Sequence, residues 1–299
     1  MIGIKTYNDI YLAVRKRLRD SGVEGYDLEA RLLAAKAAGK SVEDFLRDSK
    51  FYVNDDAFEN ELTSLADRRI SGEPIAYITG EWEFYGLPVK VTGDVLIPRI
   101  DTEVLVTAAI ELLTLREPDR RVLDLCTGSG CVGMALTANV PSCRIVLADN
   151  SREALAVCRQ NLLNNRLTRR ASCVEVDALE APPMLLGTFD MIVCNPPYIP
   201  TSEIIGLDSS VRDYEPLSAL DGGADGLDFY RAVASKWKAV LRKDGYILFE
   251  CGEGQAGDVM DIMESNGFED IKTYRDTIGV ERVVSGRLTQ NQEWRSNNG

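Results

Sequence analysis

The 299-residue sequence predicts an α/β protein in which a small helical domain precedes a larger domain built on a mostly parallel β-sheet. From about residue 101 onward, short apolar strands alternate with helical segments, which is typical of a parallel sheet covered on both faces. Residues 1–72 instead show helical periodicity and carry 12 Lys and Arg against 13 Asp and Glu. Because the whole chain has a net charge of −13, nearly all of the acidity lies in the second part, which indicates two bodies with different surfaces.

Four helices are predicted within residues 1–72. The second is predicted to begin after Asp27 as its N-cap and to end at Gly39, and the third begins after Ser41. The apolar residues that define the helical faces are Ile10, Val14, Leu18, Leu28, Leu32, Leu33, Phe58, Leu62 and Leu65. The basic residues around the first face are Arg15, Lys16, Arg17 and Arg19. We therefore expect a packed helical domain with a basic surface on its first helix.

The remaining chain divides into three parts. Residues 73–93 are rich in β-prone side chains with Gly and Pro between them, so we predict a β-hairpin that joins the two bodies. Residues 94–289 form the sheet domain, and residues 290–299 form a loose polar tail. The seven predicted strands are 121–126, 144–149, 172–177, 189–194, 245–251, 267–274 and 280–286. The last two lie close together in the chain, which favours an antiparallel edge.

The composition excludes several kinds of chemistry. The chain has no histidine, so it can build neither a Ser-His-Asp triad nor a histidine-bearing zinc site, and we expect no metal. Its seven cysteines include no Cys-x-x-Cys pair, and the N-terminus lacks the pattern of a signal peptide. The sequence has no apolar stretch long enough to span a membrane. We therefore expect a cytoplasmic protein whose negative charge opposes stable nucleic-acid binding.

A glycine turn follows the first predicted strand of the sheet. Gly128, Gly130 and Gly133 match the pattern Gly-x-Gly-x-x-Gly, and Asp149 ends the next strand, 21 residues after Gly128. Such a turn lets a ligand approach the backbone at the carboxyl edge of the sheet, where an acid can bind a ribose diol. A nicotinamide dinucleotide and S-adenosylmethionine both fit this pattern. The absence of histidine and of a Tyr-x-x-x-Lys pair as proton donor favours S-adenosylmethionine.

The strand 189–194 ends in the tetrapeptide Asn195-Pro196-Pro197-Tyr198. Two prolines fix the backbone and remove two N–H donors, which leaves carbonyl groups free to point into a pocket. Asn195 adds a side-chain carbonyl, and Tyr198 adds a flat aromatic ring. Two acceptors beside an aromatic face suit a planar NH2 group as substrate.

This tetrapeptide after a glycine loop resembles the signature of S-adenosylmethionine-dependent methyltransferases that act on amide or exocyclic amino nitrogens. Residues 72–80, 84–87, 95–103 and 214–223 further resemble the family that methylates the glutamine of the Gly-Gly-Gln motif in peptide-chain release factors (the PrmC/HemK type). The resemblance covers nearly the whole chain and implies a Rossmann-like seven-stranded methyltransferase domain. Two positions depart from it, since Cys126 stands where the family often has glycine and Ile100 where proline is common.

The resemblance also implies a role for individual residues. Asn195, Pro196 and Tyr198 are the implied catalytic residues, and with Pro197 they form the substrate site. The residues implied in cofactor binding are Pro98, Arg99, Thr102, Glu103, Cys126, Thr127, Gly128, Ser129, Gly130, Asp149, Asp177, Ala178 and Asn195. Within this set, Asp149 holds the ribose hydroxyls, Asp177 and Ala178 flank adenine, and Pro98 to Glu103 close the site. The helical domain is expected to bind the release factor.

Three alternatives remain open from the sequence, and one is a non-catalytic scaffold, which loss of cofactor binding would reveal. A DNA or RNA adenine-N6 methyltransferase shares the Asn-Pro-Pro-Tyr tetrapeptide, although it would need a basic groove for its substrate. Residues 101–103 have a second interpretation as a plain helix cap.

Overall fold

A computed structural model describes residues 5–53, 56–114 and 119–289 of the chain. The chain forms two compact units. One runs from the N-terminus to Glu81 and includes Asp208–Tyr214, and the other contains Trp82–Leu207 and the chain from Glu215 onward. The helical unit therefore extends past residue 72 and takes in a segment from far along the chain. The tail predicted for residues 290–299 lies outside the described residues.

Within its described residues, the helical unit begins with five consecutive helices. They are α1 (Tyr7–Asp20), α2 (Tyr26–Ala38), α3 (Val42–Asp48), α4 (Ala57–Ile70) and α5 (Ile75–Thr79). Helix α1 begins with a capping box, in which the Thr6 hydroxyl and the Asp9 carboxylate each accept from the other residue's backbone N–H. The apolar periodicity of α1 and α4 is confirmed, because Leu18 and Leu62 are fully buried with Leu33 in the core of the unit.

Three details of the helical prediction are wrong. The N-cap of α2 is Gly25, while Asp27 lies in the first turn and pairs with Arg15 and with Arg31, the latter at 2.6 Å. Leu28 is exposed, since Ala30, Leu33 and Ala34 form the buried face of α2 instead. The basic surface of α1 is largely neutralised by ion pairs, which are Arg15–Asp27, Arg17–Asp67 and Arg19–Asp20.

The predicted hairpin is shorter than expected. Residues 75–79 form α5 rather than a strand, because the Pro74 carbonyl accepts from the N–H groups of Tyr77 and Ile78 and so begins a helical turn. The hairpin itself consists of β1 (Glu81–Phe84) and β2 (Leu87–Lys90). Both residues of its turn, Tyr85 and Gly86, have positive φ, as a tight turn between twisted strands requires.

The predicted seven-stranded α/β sheet is confirmed. Its strands are β3 (Arg121–Leu125), β4 (Arg144–Asp149), β5 (Ala171–Glu175), β6 (Phe189–Cys194), β7 (Leu241–Glu250), β8 (Phe268–Arg275) and β9 (Glu281–Leu288). They lie in the order β5-β4-β3-β6-β7-β9-β8, with β3 to β7 parallel and β9 antiparallel to β7 and β8. Its helices are α6 (Glu103–Thr114), α7 (Cys131–Asn139), α8 (Arg152–Asn164), α10 (Asp228–Lys236) and α11 (Ala256–Ser265), while α9 (Ser209–Arg212) belongs to the helical unit.

The strand order reverses next to β3. From β3 the chain proceeds through β4 to β5 at one edge, and it then returns to place β6 on the other side of β3. Open α/β sheets bind ligands at such a switch point, outside the carboxyl ends of the strands. The register pairs Leu125 with Cys194 and Cys194 with Phe249, so the residues that follow β3 and β6 and the last residue of β7 meet at one edge. In the described part of the chain, no helix is long and apolar enough to cross a lipid bilayer.

Candidate active site

The loop after β3 is held by two carboxylates, the partly buried Asp149 and the buried Asp124. Asp149 accepts from the backbone N–H of Gly128 at 2.8 Å and from that of Ser151 at 3.0 Å. Asp124, inside β3, accepts from the Thr127 hydroxyl at 2.5 Å and from the Gly133 N–H at 2.9 Å. Side chains from β3 and β4 therefore fix the conformation of the loop.

The three glycines of the loop differ in function. A Cβ at Gly130 would lie 2.7 Å from the sulfur of Cys158, and one at Gly133 would lie 2.7 Å from the side chain of Leu147. Gly130 thus allows close packing against α8, and Gly133 allows close packing of α7 against β4. A Cβ at Gly128 would meet no heavy atom within 4 Å, so this part of the backbone borders open space, as ligand approach requires.

Cys126 adopts a left-handed backbone with φ +60°. Glycine tolerates this conformation best, which gives a physical reason for the glycine found there in the resembling family. With cysteine in place of glycine at position 126, the loop keeps its left-handed backbone conformation, and the Cβ adds local strain. The Cys126 thiol also contacts that of the buried Cys194, the residue before Asn195.

Burial dominates the electrostatics of the two loop carboxylates. Desolvation raises the pKa of Asp124 to about 7, against the opposing effect of its hydrogen bonds from Thr127 and Gly133. Burial also raises the pKa of Asp149, and the backbone N–H groups that it accepts from lower it. A carboxylate that accepts backbone N–H bonds retains further lone pairs for a ligand, so Asp149 can still accept from hydroxyl groups.

The tetrapeptide after β6 begins with Asn195, which is partly buried and lines the pocket. Its Nδ2 donates to the hydroxyl of Thr102 at 3.3 Å. Within the described residues no group donates to its Oδ1, which therefore remains available as an acceptor. Tyr198 is held from behind, since its carbonyl accepts from Gln255 Nε2 at 2.9 Å and its ring packs against Gly252.

The segment before α6 is anchored by Glu215. This buried carboxylate accepts from the Ile97 N–H at 3.3 Å and from the guanidinium of Arg99. Burial raises the pKa of Glu215, and Arg99 opposes this effect. The contact positions Pro98 and Arg99 beside the glycine loop, where both line the same pocket.

One pocket joins most of the predicted residues. Those that line it are Pro98, Arg99, Thr102, Cys126, Thr127, Gly128, Ser129, Asp149, Ala178, Asn195 and Pro197. Predicted residues outside its lining are Glu103, Gly130, Asp177, Pro196 and Tyr198. Glu103 accepts from the Tyr85 N–H at 2.9 Å, and the exposed Asp177 accepts from the Leu179 N–H at 2.8 Å, so both carboxylates bond locally. Their roles toward a cofactor stay predictions.

Several pocket residues were missed by the sequence reasoning. Asp94, Asp124, Asn150, Ser151, Val176 and Phe229 also line the pocket. Asp124 had a sequence signal, because an acid inside an otherwise apolar buried strand needs partners. Phe229, at the start of α10, had none, since its place in the pocket lining depends on the packing of α10. Trp237 fixes the other side of this region by donating to the Ala178 carbonyl at 2.9 Å.

The residues of the pocket fit S-adenosylmethionine. Gly128 presents backbone to open space, Asp149 presents a carboxylate suited to a ribose diol, and Val176, Ala178 and Phe229 form an apolar wall suited to adenine.

Comparison with known proteins places the chain among methyltransferases. Residues 101–205 match the family described as methyltransferase small domain, and residues 9–80 match the PrmC N-terminal domain. A release factor glutamine methyltransferase of Geobacter sulfurreducens is 40% identical over 280 residues, covering 92% of this chain and 94% of that protein. One from Clostridium acetobutylicum is 39% identical over 244 residues, covering 80% and 85%. The catalytic domain of hMettl16, solved with the MAT2A 3′UTR hairpin 6, has a TM-score of 0.54 at 16% identity, covering 76% and 83%, and shows a shared fold alone.

The seven-stranded sheet, the pocket at its switch point and the match over residues 101–205 define an S-adenosylmethionine-dependent methyltransferase. The predicted cofactor is thereby confirmed at the level of the class. Because relatives at 39–40% identity align over most of both chains, the chain belongs to the release factor glutamine methyltransferase family, as the resemblance predicted.

Proposed function

We propose that this protein transfers a methyl group from S-adenosylmethionine to the side-chain amide nitrogen (N5) of the glutamine in the Gly-Gly-Gln motif of peptide-chain release factors. The observation that carries the proposal is that Asn195 lies in one pocket with the Gly128 loop and Asp149. A group suited to an amide and a group suited to a nucleoside therefore share a cavity, and membership of the family supplies the substrate class.

S-adenosylmethionine supplies an electrophilic methyl group on a sulfonium. In this chain, Asp149 would hold the ribose hydroxyls, the loop from Cys126 to Ser129 would border the ribose and methionine parts, and Ala178 with Phe229 would contact adenine. The buried Asp124 acts on this site by holding Thr127 and Gly133.

The chain's own contribution to the reaction is positioning. An amide nitrogen is a weak nucleophile because its lone pair is delocalised, and correct alignment can lower the barrier by up to about 7–11 kcal/mol. The Asn195 Oδ1 and the Pro196 carbonyl would accept from the substrate NH2, and both bonds strengthen as positive charge develops on the nitrogen. The Tyr198 ring would stack on the amide plane and exclude water.

The alternative substrate, an adenine in DNA or RNA, is less well supported. Such an enzyme needs a basic groove, whereas this chain has a net charge of −13. Arg99, a basic side chain that lines the pocket, is paired with the carboxylate of Glu215. Acidic side chains such as Asp94 and Asp149 line the same pocket, which favours a basic protein over a phosphate backbone as substrate.

The helical unit is our candidate for release-factor recognition. Its residues 9–80 match the PrmC N-terminal domain, and the residues proposed for cofactor and amide binding all lie in the other unit. Contact remote from the glutamine would convert binding energy into alignment of the reacting amide. A cytoplasmic location is part of the proposal, and the seven free thiols are compatible with a reducing compartment.

Labelled S-adenosylmethionine tests the proposal directly. The protein is incubated with a release factor, with the same factor carrying alanine for the Gly-Gly-Gln glutamine, or with duplex DNA or RNA. Label on the unaltered release factor alone is the expected result, and the Asn195→Ala enzyme is the matched control. Label on nucleic acid, or equal label on both release factors, would overturn the proposal.

A further inference from the structure

Glu250, the last residue of β7, is a buried acid at the active-site edge of the sheet. It is 3% exposed, and its neighbour Phe249 pairs in register with Cys194, the residue before Asn195. Adjacent parallel strands therefore bring Glu250 and Asn195 to the same edge. Neither a resemblance nor the pocket lining had assigned Glu250 a role.

The surroundings of Glu250 do not compensate for its burial. Its carboxyl interacts with the Thr102 hydroxyl and the Asn195 amide, while in the described chain its Oε2 has no hydrogen-bond partner. The charged side chains that act on it are Asp101 and Arg282, which pair with each other at 3.0 Å. An incompletely paired buried carboxyl destabilises a fold, so stability does not explain this residue.

We propose that Glu250 is a positioning residue that, together with Thr102, binds the Nδ2 side of the Asn195 amide and so turns Oδ1 toward the substrate. The Nδ2 of Asn195 donates to Thr102 at 3.3 Å, and the Thr102 hydroxyl has its own hydrogen to give to Glu250. Above its raised pKa of about 7 the Glu250 carboxylate is ionised and accepts hydrogen bonds only, so the hydrogen bonds then run in one direction from Asn195 to Glu250.

The direction of these hydrogen bonds decides which end of the Asn195 amide faces the substrate in the proposed reaction. A terminal amide has an oxygen and an NH2 of nearly the same size, and a flipped Asn195 would present a donor to the donating NH2 of the substrate. Glu250 opposes the flip because it would then face the amide oxygen with its own. This inference rests on the proposed amide methylation, so methylation of the release factor by the wild-type protein is measured first.

Two substitutions at Glu250 distinguish a positioning role in the reaction from a role in the stability of the fold. Glu250→Met removes the acceptor while keeping an unbranched chain, and Glu250→Gln keeps one acceptor oxygen. We expect the kcat for release-factor methylation to fall by about 100-fold in the Met variant and less in the Gln variant. The KM for the release factor and the Kd for S-adenosylmethionine should change little, and the Tm of the Met variant should rise because a buried polar group is removed. A Met variant with wild-type kcat, or with kcat lost alongside a lowered Tm, overturns the inference.

A double-variant test shows whether Glu250 acts through Asn195. In an Asn195→Ala background, Glu250→Met should lower kcat no further than about twofold, because the amide that it orients is gone. A full additional loss would overturn the inference.

The matched control is Asp190→Asn. Asp190 is a buried acid at the amino end of β6 that pairs with Arg120 and Arg242. This substitution should lower Tm and leave kcat unchanged. A wild-type enzyme that labels no release factor would overturn the proposed function and this inference together, whereas an active Met variant overturns the inference alone.

Discussion

The Asp149 carboxylate accepts a 2.8 Å hydrogen bond from the backbone N–H of Gly128. This bond links the end of β4 to the loop that follows β3, two strands that are neighbours in the sheet. The acid proposed for the ribose therefore also fixes the loop that borders the rest of the cofactor. Loss of this one side chain would therefore remove a ribose ligand and also free the loop that borders the cofactor.

Asp149→Ala should weaken binding of S-adenosylmethionine by about 1.5–3 kcal/mol, the usual contribution of hydrogen bonds to a charged group. Isothermal titration calorimetry measures the change. The control is Glu175→Ala, because Glu175 is the register partner of Asp149 on β5 and pairs on the surface with Arg152. Equal affinities of the Asp149 variant and the wild type would reject the ribose assignment.

Asn195→Ala should lower the kcat for release-factor methylation by at least about 100-fold, or roughly 3 kcal/mol, since it removes an acceptor for the developing charge. Circular dichroism should show an intact fold, because the side chain is only partly buried at the end of β6. Steady-state kinetics with the release factor check the prediction. Methylation near the wild-type rate would contradict the proposed mechanism.

The left-handed backbone at Cys126 predicts that two substitutions there will differ in their effect on the free energy of unfolding. Cys126→Val should destabilise the protein by about 1–2 kcal/mol relative to Cys126→Gly, because a β-branched side chain resists positive φ and glycine accepts it. Urea denaturation measures both free energies of unfolding. If the two variants were equally stable, the left-handed conformation at this position would be disproved.

The buried acids predict a pH dependence of stability. The pKa of Glu250 is raised from 4.5 to about 7 in the folded chain, so the folded state keeps a proton that the unfolded state loses between these values. The free energy of unfolding should therefore fall as the pH rises through this window. Glu250→Gln cannot ionise, so its stability relative to the wild type should be greater at about pH 8 than at about pH 4.5.

Asp124 provides the internal control for this effect. Its pKa is also raised by burial to about 7, so the Glu250→Gln variant should keep part of the same pH dependence. Denaturant unfolding at both pH values gives the comparison. A stability difference between variant and wild type that does not change with pH would show that Glu250 is not a buried titrating group in the folded chain.

Charge reversal on α1 tests recognition by the helical unit. Arg15, Arg17 and Arg19 are held in ion pairs, which leaves the exposed Lys16 as the suitable position. Lys16→Glu should slow methylation of the release factor several-fold at low salt and have little effect at high salt, since surface charges act on encounter and are screened. Activity on a short Gly-Gly-Gln peptide should not change.

The matched control is Lys243→Glu, an exposed residue of the sheet unit with the same change in charge. It should affect protein and peptide substrates alike. The ratio of activity on protein to activity on peptide is the measured quantity. Equal ratios for the two variants would show that α1 is not part of the recognition surface.

The strands of the sheet were predictable because helices cover both faces of a parallel sheet, so its central strands are short, continuous apolar runs. Thus β4 and β6 begin and end where the sequence predicted. Residues 75–79 were not predictable, since β-prone side chains in a short run have no preference strong enough to oppose a helical turn after Pro74. Local pattern alone also misplaced the buried face of α2, because small alanines rather than Leu28 pack on its neighbours.

The sequence by itself determined the fold class, the glycine loop, Asp149 and the tetrapeptide from Asn195 to Tyr198, because each is a local pattern. Only the tertiary structure decided that Asp124 holds the loop, that Phe229 joins the pocket and that Glu250 lies beside Asn195. These residues are far apart in the chain and belong to separate strands and helices. Their proximity depends on the order and register of β3, β6 and β7, and long-range strand pairing leaves no signal in the local sequence.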